Sequence, residues 1–247
     1  MGAVLGQLRA RAPLVHCLGN SPAKALMANA VLALGAFPAM VSDAGEVASF
    51  VPLSDALVIN LASLTHPLSA AMRRAAPAAA GKPWLLDPAA IGRLPLRTDL
   101  ARELLALRPS IVKGNASEIV TLAGGDGRHR CADSALPPEE AVDAAVSLAR
   151  STGGAVAISG PEDYVTDGVE TLRIQGGHPF MSRVTGMGCS LGAIMGVFLG
   201  AGLASLRAAA ASFVYASAGE KAGAEAAGSG SFVPLFLDRL YLAVKQA

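Results

Sequence analysis

The chain has 247 residues, of which 52% are hydrophobic and 16% are charged. This length suits one or two domains, and a chain this apolar can bury a large core, which excludes intrinsic disorder. Lys and Arg number 20 against 19 Asp and Glu, for a formal net charge of +1. The chain therefore lacks the surplus of basic residues that binding to nucleic acid or to an anionic membrane requires.

The three cysteines, Cys17, Cys131 and Cys189, are too few for a disulfide framework and form no CxxC pair. We therefore expect reduced thiols in a cytoplasmic protein. Residues 1–11 contain Arg9 and Arg11 and lack the apolar run of a signal peptide.

Short apolar runs alternate with longer helical patterns along much of the chain. We interpret residues 14–18, 39–41, 56–60, 84–87, 111–113 and 155–159 as strands, and 22–34, 65–80, 98–107, the segment opened by Asn115 and 137–152 as helices. Apolar strands separated by helices predict a mostly parallel sheet with helices on both faces.

The pattern changes near residue 164. Asp167-Gly168, between the short runs 164–166 and 169–174, is typical of a tight hairpin turn, which would give the sheet an antiparallel edge. Helical patterns at 189–203, 207–222 and 234–244 follow. We expect one α/β domain that spans residues 1–247.

Residues 186–206 carry no charge, and about 20 apolar residues suffice to cross a bilayer. Gly188, Gly192, Gly196 and Gly200 are four apart, which places them on one helix face, as in pairs of membrane helices. We favour a helix buried in an α/β protein without a membrane span, because a second apolar span is missing and residues 185–189 are typical of a tight loop before a helix.

The segment Thr185-Gly186-Met187-Gly188-Cys189 has the clearest chemical signal. Glycines let backbone N–H groups turn toward one point, and the N–H groups at the start of a helix bind anions. We predict that residues 186–189 form an anion hole for a transferring phosphoryl group or an oxyanion. The segment is not a P-loop, because no Lys-Ser or Lys-Thr pair follows the glycines.

Cys189 falls in the first turn of the predicted helix, where the helix dipole lowers the pKa of a thiol. A thiolate there can act as a general base on an alcohol. The alternative is a small buried hydrophobic residue. Nucleophilic catalysis would also require a positioned base, for which His16 and His178 are candidates.

Further polar residues follow two of the predicted strands. Asp87 ends one strand, at the edge where open α/β sheets bind ligands, although a turn residue would fit equally well. Asn115 and Glu118 have the spacing of a helix capping box. Alternatively, Glu118 helps to hold a metal while Lys113 meets a phosphate, and Mg²⁺ suits a site with one or two carboxylates.

Together, several segments resemble the hydroxyethylthiazole kinases of thiamine salvage. The matching segments are 13–17, 28–30, 32–36, 38–40, 56–60, 86–88, 113–118, 163–168, 177–189, 230–232 and 237–238. The resemblance runs from about Pro13 to Tyr241, and residues 177–189 are its most specific part.

The resemblance implies a ribokinase-like three-layer sandwich and a homotrimer. It also implies phosphorylation by ATP and Mg²⁺ of the primary alcohol of 4-methyl-5-(2-hydroxyethyl)thiazole. Cys189 occupies the place where related sugar kinases have an aspartate base. The other implied roles are substrate contacts by Met40 and Gly186, ATP contacts by Lys113 and Ser159, and a magnesium site organised by Asp87 and Glu118.

The sequence also departs from the family's usual pattern. Lys113 replaces an Arg, so that a point charge replaces a bidentate fork. Ala90 replaces a loop glycine, and we expect Ile91 to add bulk beside the reaction centre. Gly19 replaces a common Thr. These departures leave two alternatives open, a ribokinase-like kinase for another small alcohol and a non-catalytic nucleotide or thiazole binder.

Overall fold

The structure is a computed structural model that describes residues 2–19, 21–126, 129–130, 133–134 and 136–246. Cys131 lies outside these residues. The described strands are β1 (Leu14–Gly19), β2 (Phe37–Ala39), β3 (Ala56–Asn60), β4 (Trp84–Asp87), β5 (Ile111–Asn115), β6 (His129–Arg130), β7 (Asp133–Ser134), β8 (Ala155–Ser159), β9 (Asp163–Thr166) and β10 (Thr171–Ile174).

Eight of these strands form one sheet in the order β10-β9-β8-β5-β4-β3-β1-β2. The strands from β8 to β2 run parallel to one another, while β9 is antiparallel to both β8 and β10. The predicted parallel sheet with an antiparallel edge is therefore confirmed. Strands β6 and β7 pair separately.

Helices cover both faces of the sheet. They are α1 (Gly2–Arg11), α2 (Lys24–Ala33), α3 (Val47–Phe50), α4 (His66–Ala78), α5 (Pro95–Leu105), α6 (Ala116–Leu122), α7 (Val142–Thr152), α8 (Met187–Gly200), α9 (Ser205–Ala209), α10 (Ser212–Glu225) and α11 (Ser229–Lys245). Side chains alternate along each strand, so Val58 joins the core under α1, α2 and α8–α11, while Leu57 and Ile59 join the core under α3–α7. The result is a three-layer α/β sandwich.

Several predicted boundaries are wrong. Strand β2 begins at Phe37 rather than residue 39, because the Phe37 N–H already bonds to Pro13 O at 2.9 Å. Helix α5 begins at Pro95 rather than at residue 98, and Thr98 lies inside it, with its hydroxyl donating to Leu94 O. The predicted helix 207–222 is divided into α9 and α10.

The hairpin connection is also longer than predicted. Strands β9 and β10 pair from Thr166 and Thr171, so residues 167–170 form the turn. Asp167 Oδ1 accepts hydrogen bonds from the N–H groups of Val169 and Glu170, at 2.9 and 2.8 Å. This side chain stabilises a four-residue turn in place of the expected two-residue turn.

The glycine face of α8 packs on the sheet. A Cβ added at Gly196 would lie 2.4 Å from Val58 Cγ2, and one added at Gly200 would lie 2.9 Å from Pro13 Cβ. The glycines therefore allow a close approach to β1 and β3, as expected for a buried helix. Within the described residues, no helix combines the length and apolar character needed to cross a membrane.

Candidate active site

Strand register places polar side chains in a row at the carboxyl edge of the sheet. Asn60 pairs with Asp87 across β3 and β4, and Lys113 lies one residue beyond the Leu86–Val112 pair of β4 and β5. Each lies two positions after a strand residue of the core under α8, namely Val58, Leu85 and Ile111, so all three side chains share that face.

Lys113 connects this row to the start of α8. Its Nζ donates to Gly188 O at 3.0 Å and lies 3.3 Å from Asp87 Oδ2. Asp87 Oδ2 also accepts from Asn60 Nδ2 at 2.8 Å. The side chains of Lys113 and Asp87 are only 6% and 2% exposed, so this ion pair is buried.

Glu118 ties the loop after β4 to the start of α6. Its Oε2 accepts from the Asn115 N–H at 2.8 Å, and Asn115 Oδ1 accepts from the Glu118 N–H at 2.9 Å. The predicted capping box is therefore confirmed. Glu118 Oε1 accepts from the Ala90 N–H at 2.8 Å, so the same carboxylate also holds the loop that follows Asp87.

Burial shifts the pKa values of these groups. It raises the pKa of Asp87, although Lys113 and Asn60 offset part of the effect. Burial and the nearby Asp87 charge raise the pKa of Glu118 to about 7. Burial lowers the pKa of Lys113, but Asp87, Glu118 and Cys189 together raise it above its usual value. The cluster thus holds two buried carboxyl groups and a single ammonium, and burial makes both carboxyl groups harder to ionise than in water.

This shortage of positive charge fits a divalent cation. Among the described residues, no group of three or more His, Cys, Asp and Glu is placed to hold a metal. Asp87 and Glu118 are both buried at the carboxyl edge, and Mg²⁺ is commonly bound by one or two carboxylates together with substrate phosphates. The donor set therefore suits Mg²⁺ better than a tightly bound metal held by protein ligands alone.

The predicted anion hole is an open helix start. Gly186 has φ +89°, and a Cβ there would lie 3.0 Å from Ala23 Cβ, so the turn requires glycine. Ser190 N–H donates to Gly186 O at 2.8 Å, and Met187 is buried in the core. Gly188 is exposed and lies in the first turn of α8, where backbone N–H groups have no acceptor four residues back within the helix.

Cys189 is half-buried in the first turn of α8 and lies within electrostatic reach of Lys113. Cys17 differs, because complete burial raises its pKa to about 12. The two histidines considered as partners have other contacts. His16 Nε2 lies 2.8 Å from Val41 O, and His178 Nδ1 accepts from the Phe180 N–H.

The remaining predicted contacts are spread along the sheet. Ser159 ends β8, and its hydroxyl approaches Gly114 O at 3.4 Å. Met40 follows the edge strand β2, which β1 and β3 separate from β4. The single chain therefore does not bring Met40 to the Asp87–Lys113 pair.

Sequence reasoning missed Asp163, which begins β9 beside the end of β8. It is 9% exposed, and its Oδ1 accepts from the Gly160 N–H at 3.0 Å. Burial raises its pKa to about 6, with Lys113 opposing the shift. An acidic residue between a glycine turn and an apolar run at this edge is the signal that could have found it.

Tyr215 on α10 was also missed. Burial raises the pKa of its phenol, and the charges of Asp163 and Cys189 raise it further. Tyr215 thus lies near both groups, although they belong to β9 and α8. A tyrosine in an alanine-rich helix gives no signal of this long-range proximity.

In the altered loop between Asp87 and Gly92, the alanine that replaces a glycine takes a conformation typical of glycine. Ala90 adopts φ +60°, the left-handed region that favours glycine. Ile91 is 1% exposed and packs in the core under α3–α7, on the face opposite α8. The expectation that Ile91 adds bulk beside the reaction centre is therefore wrong.

Comparisons with known proteins agree with this architecture. The model of the Hydroxyethylthiazole kinase family matches residues 5–246. A hydroxyethylthiazole kinase of Granulibacter bethesdensis is 50% identical over 241 residues, which cover 96% of this chain and 88% of that protein. One of Pectobacterium carotovorum subsp. carotovorum is 47% identical over 245 residues, which cover 96% and 91%.

Solved structures show the same fold. Hydroxyethylthiazole kinase from Pyrococcus horikoshii OT3 has a TM-score of 0.89 at 36% identity, covering 99% of this chain and 95% of that one. An ADP complex of Bacillus subtilis pyridoxal kinase has a TM-score of 0.64 at 15% identity, covering 83% and 90%, and shows likeness of fold alone. The sandwich is ribokinase-like, and the chain belongs to the hydroxyethylthiazole kinase family.

Proposed function

We propose that the protein transfers the γ-phosphoryl group of ATP, with Mg²⁺, to the primary alcohol of 4-methyl-5-(2-hydroxyethyl)thiazole. Family membership across residues 5–246 supports the reaction type. The observation that carries the proposal is the buried Asp87–Lys113 pair against the open glycine turn of α8. One edge of the sheet thus brings together a carboxylate that can hold a metal (Asp87), a fixed cation (Lys113) and a helix start that can bind an anion (α8).

Phosphoryl transfer depends mainly on positioning and on stabilisation of charge. In this proposal the Gly188 N–H and the start of α8 face the transferring group, and Gly186 contacts the substrate. Asp87 and Glu118 hold Mg²⁺, which when bound offsets phosphate charge. Lys113 adds the positive charge fixed by the protein.

Cys189 accepts the proton of the alcohol in this scheme. Its place beside the glycine turn is suited to that role, and the nearby Lys113 ammonium favours the thiolate. Because the transition state is loose, the alcohol loses its proton late, and a weak base suffices. Ser159, at the carboxyl end of β8, contacts ATP together with Lys113.

The proposal places the enzyme in the cytoplasm as a homotrimer in which Met40 of one protomer reaches the substrate pocket of another. Met40 is distant from the Asp87–Lys113 pair along the sheet order of one chain. The β2 edge where it lies also exposes apolar surface, since Phe37 is 58% exposed. Both features fit a pocket completed by a second copy.

An ADP-release screen of small alcohols, with purified protein, ATP and Mg²⁺, tests the function. We expect release that depends on the hydroxyethylthiazole. Release with another alcohol but none with the thiazole would indicate a kinase of different specificity. Calorimetric binding of ATP or the thiazole without turnover of any alcohol would indicate a non-catalytic binder.

A further inference from the structure

Lys113 is the sole Lys or Arg side chain that is buried within the described part of the chain. Its Nζ is held by Gly188 O at 3.0 Å and lies 3.3 Å from Asp87 Oδ2. An ammonium has three N–H donors. The protein thus engages two of them before any nucleotide binds, and it does so through the proposed phosphate turn and the proposed metal carboxylate.

The charges around this ammonium are unbalanced. Glu118 and Cys189 lie within its electrostatic reach, and so does Asp163. Across the described ranges, neither Glu118 nor Asp163 forms an ion pair with a second Lys or Arg that could take over this role. One ammonium therefore lies among several side chains that can carry negative charge. A divalent cation that entered at Asp87 would meet this ammonium at close range, where like charges repel strongly.

We infer that Lys113 is the internal counter-ion of the metal site, which weakens the binding of free divalent cations and makes the metal enter together with the nucleotide. This inference rests on the proposed function, because it takes Asp87 and Glu118 as the metal carboxylates. It assigns Lys113 a role in the nucleotide-free protein, beyond contact with ATP.

Nucleotide phosphates change the balance. They bring negative charge that both the ammonium and the metal can share, so the repulsion between the two cations is compensated. Lys113 should therefore oppose free metal and favour the metal–nucleotide complex. A residue that only contacts ATP would leave the affinity for free metal unchanged. A residue that only fastens α8 to β4 would, when lost, weaken the binding of both metal and nucleotide.

The test measures Mn²⁺ binding to the nucleotide-free, full-length protein, from the electron paramagnetic resonance signal of free Mn²⁺. Lys113→Met removes the charge at nearly constant length, and Lys113→Arg keeps it. We expect Lys113→Met to bind Mn²⁺ at least about tenfold more tightly than the wild type, because repulsion by the ammonium is gone. Lys113→Arg should stay within about threefold of the wild type. ATP affinity of Lys113→Met, measured by calorimetry, should fall.

Removing one partner of a buried ion pair can unfold a protein. Lys113→Gln, which keeps hydrogen-bond donors without the charge, is therefore the second neutral variant, with circular dichroism as the check on folding. Adding Asp87→Asn to either neutral variant should abolish its gain in Mn²⁺ affinity.

Mn²⁺ affinity of the folded neutral variants equal to or below that of the wild type overturns the inference. Alcohol-dependent ADP release by the wild type is measured separately. An active wild type with unchanged Mn²⁺ affinity in Lys113→Met therefore contradicts the counter-ion role alone. Absence of ADP release with every alcohol contradicts the proposed function, whatever the Mn²⁺ comparison shows.

Discussion

At the scale of single residues, the loop between Asp87 and Gly92 shows how the chain holds Glu118 in place. Ala90 takes a left-handed φ of +60° while its N–H donates to Glu118 Oε1 at 2.8 Å. A non-glycine residue in that region is strained by about 1–2 kcal/mol. The strain persists because the hydrogen bond and the buried Ile91 next to it fix the loop.

Ala90→Gly should remove this strain, although glycine loses more chain entropy on folding than alanine does. The net effect should be a rise of about 0.5–1 kcal/mol in the free energy of unfolding. Ala89→Gly is the matched control, because Ala89 has no positive φ. It should lower stability by about 0.5–1 kcal/mol. Urea unfolding of the two variants measures both effects, and a destabilised Ala90→Gly would show that the loop is not strained.

Cys189 should assist the reaction without being indispensable. We expect Cys189→Ala to retain measurable kinase activity and Cys189→Asp to remain active, because a loose transition state needs only a weak base. Steady-state ADP release measures both variants, with calorimetry to confirm that substrates still bind. Complete loss of turnover in a Cys189→Ala protein that binds both substrates normally would make the base essential.

Asp163 should make stability depend on pH. Burial raises its pKa from 3.8 to about 6, so the folded state binds a proton more readily than the unfolded state. The contribution of Asp163 to the free energy of unfolding therefore becomes more favourable as pH falls from about 6 to about 4. Above pH 6, the buried negative charge lowers the stability of the folded state. Asp163→Asn keeps an oxygen for the Gly160 N–H but removes the charge.

We expect Asp163→Asn to raise stability by about 2–3 kcal/mol at pH 8, at 1.36 kcal/mol for each unit of pKa, and by much less at pH 4. Thermal unfolding at several pH values measures this. Asp167→Asn is the control, because Asp167 lies in the exposed hairpin turn and its pKa is lowered rather than raised. A gain for Asp163→Asn that is equal at pH 4 and pH 8 would refute the assigned cause.

At the scale of elements, α8 joins the core to the site. Its glycine face lies on β1 and β3 at one end, and its first turn faces Lys113 at the other. The spacing of these glycines was visible in the sequence and predicted a face for close approach. What the face approaches depends on residues more than a hundred positions away, such as Val58, and periodicity does not encode that.

Gly196→Ala should destabilise the protein by about 1–3 kcal/mol through overpacking, because the new Cβ would lie 2.4 Å from Val58 Cγ2. Gly6→Ala is the control, since no atom lies within 4 Å of its added Cβ in α1. That change should stabilise the helix by up to about 1 kcal/mol. Chemical denaturation compares the two, and equal effects of the two substitutions would contradict the packing of α8.

Local patterns predicted β3, β4, β5, β8 and the capping box at Asn115 well, because these features depend on neighbouring residues. The start of β2 depends on a tertiary contact, the hydrogen bond from Phe37 N–H to Pro13 O. Helix α1 was missed because its apolar residues have little periodicity. Element type was thus more predictable than element ends.

At the scale of the whole molecule, parallel strand order brings Asn60, Asp87 and Lys113 to one edge from distant parts of the chain. The sequence identified Asp87 and Lys113 as candidates because each ends or nears the end of an apolar strand. It did not predict their ion pair, nor the place of Asp163 beside them, because strand order and side-chain packing are not local properties.

The proposed trimer should depend on the exposed edge at β2. Phe37→Asp should shift the protein toward monomers, because it places a charge in an apolar contact. Val169→Asp is the control, because Val169 is apolar and 95% exposed but lies in the hairpin turn. Size-exclusion chromatography with light scattering measures both. A wild-type monomer, or a Phe37→Asp trimer, would contradict this interface.

The most direct test of the account is identification of the product that forms from the hydroxyethylthiazole, ATP and Mg²⁺. Mass spectrometry with phosphorus nuclear magnetic resonance should show a phosphate monoester on the primary alcohol, formed together with ADP. Asp87→Asn should form it far more slowly. ADP release without any thiazole phosphate, or unchanged ester formation by Asp87→Asn, would contradict phosphoryl transfer at the carboxyl edge of this sheet.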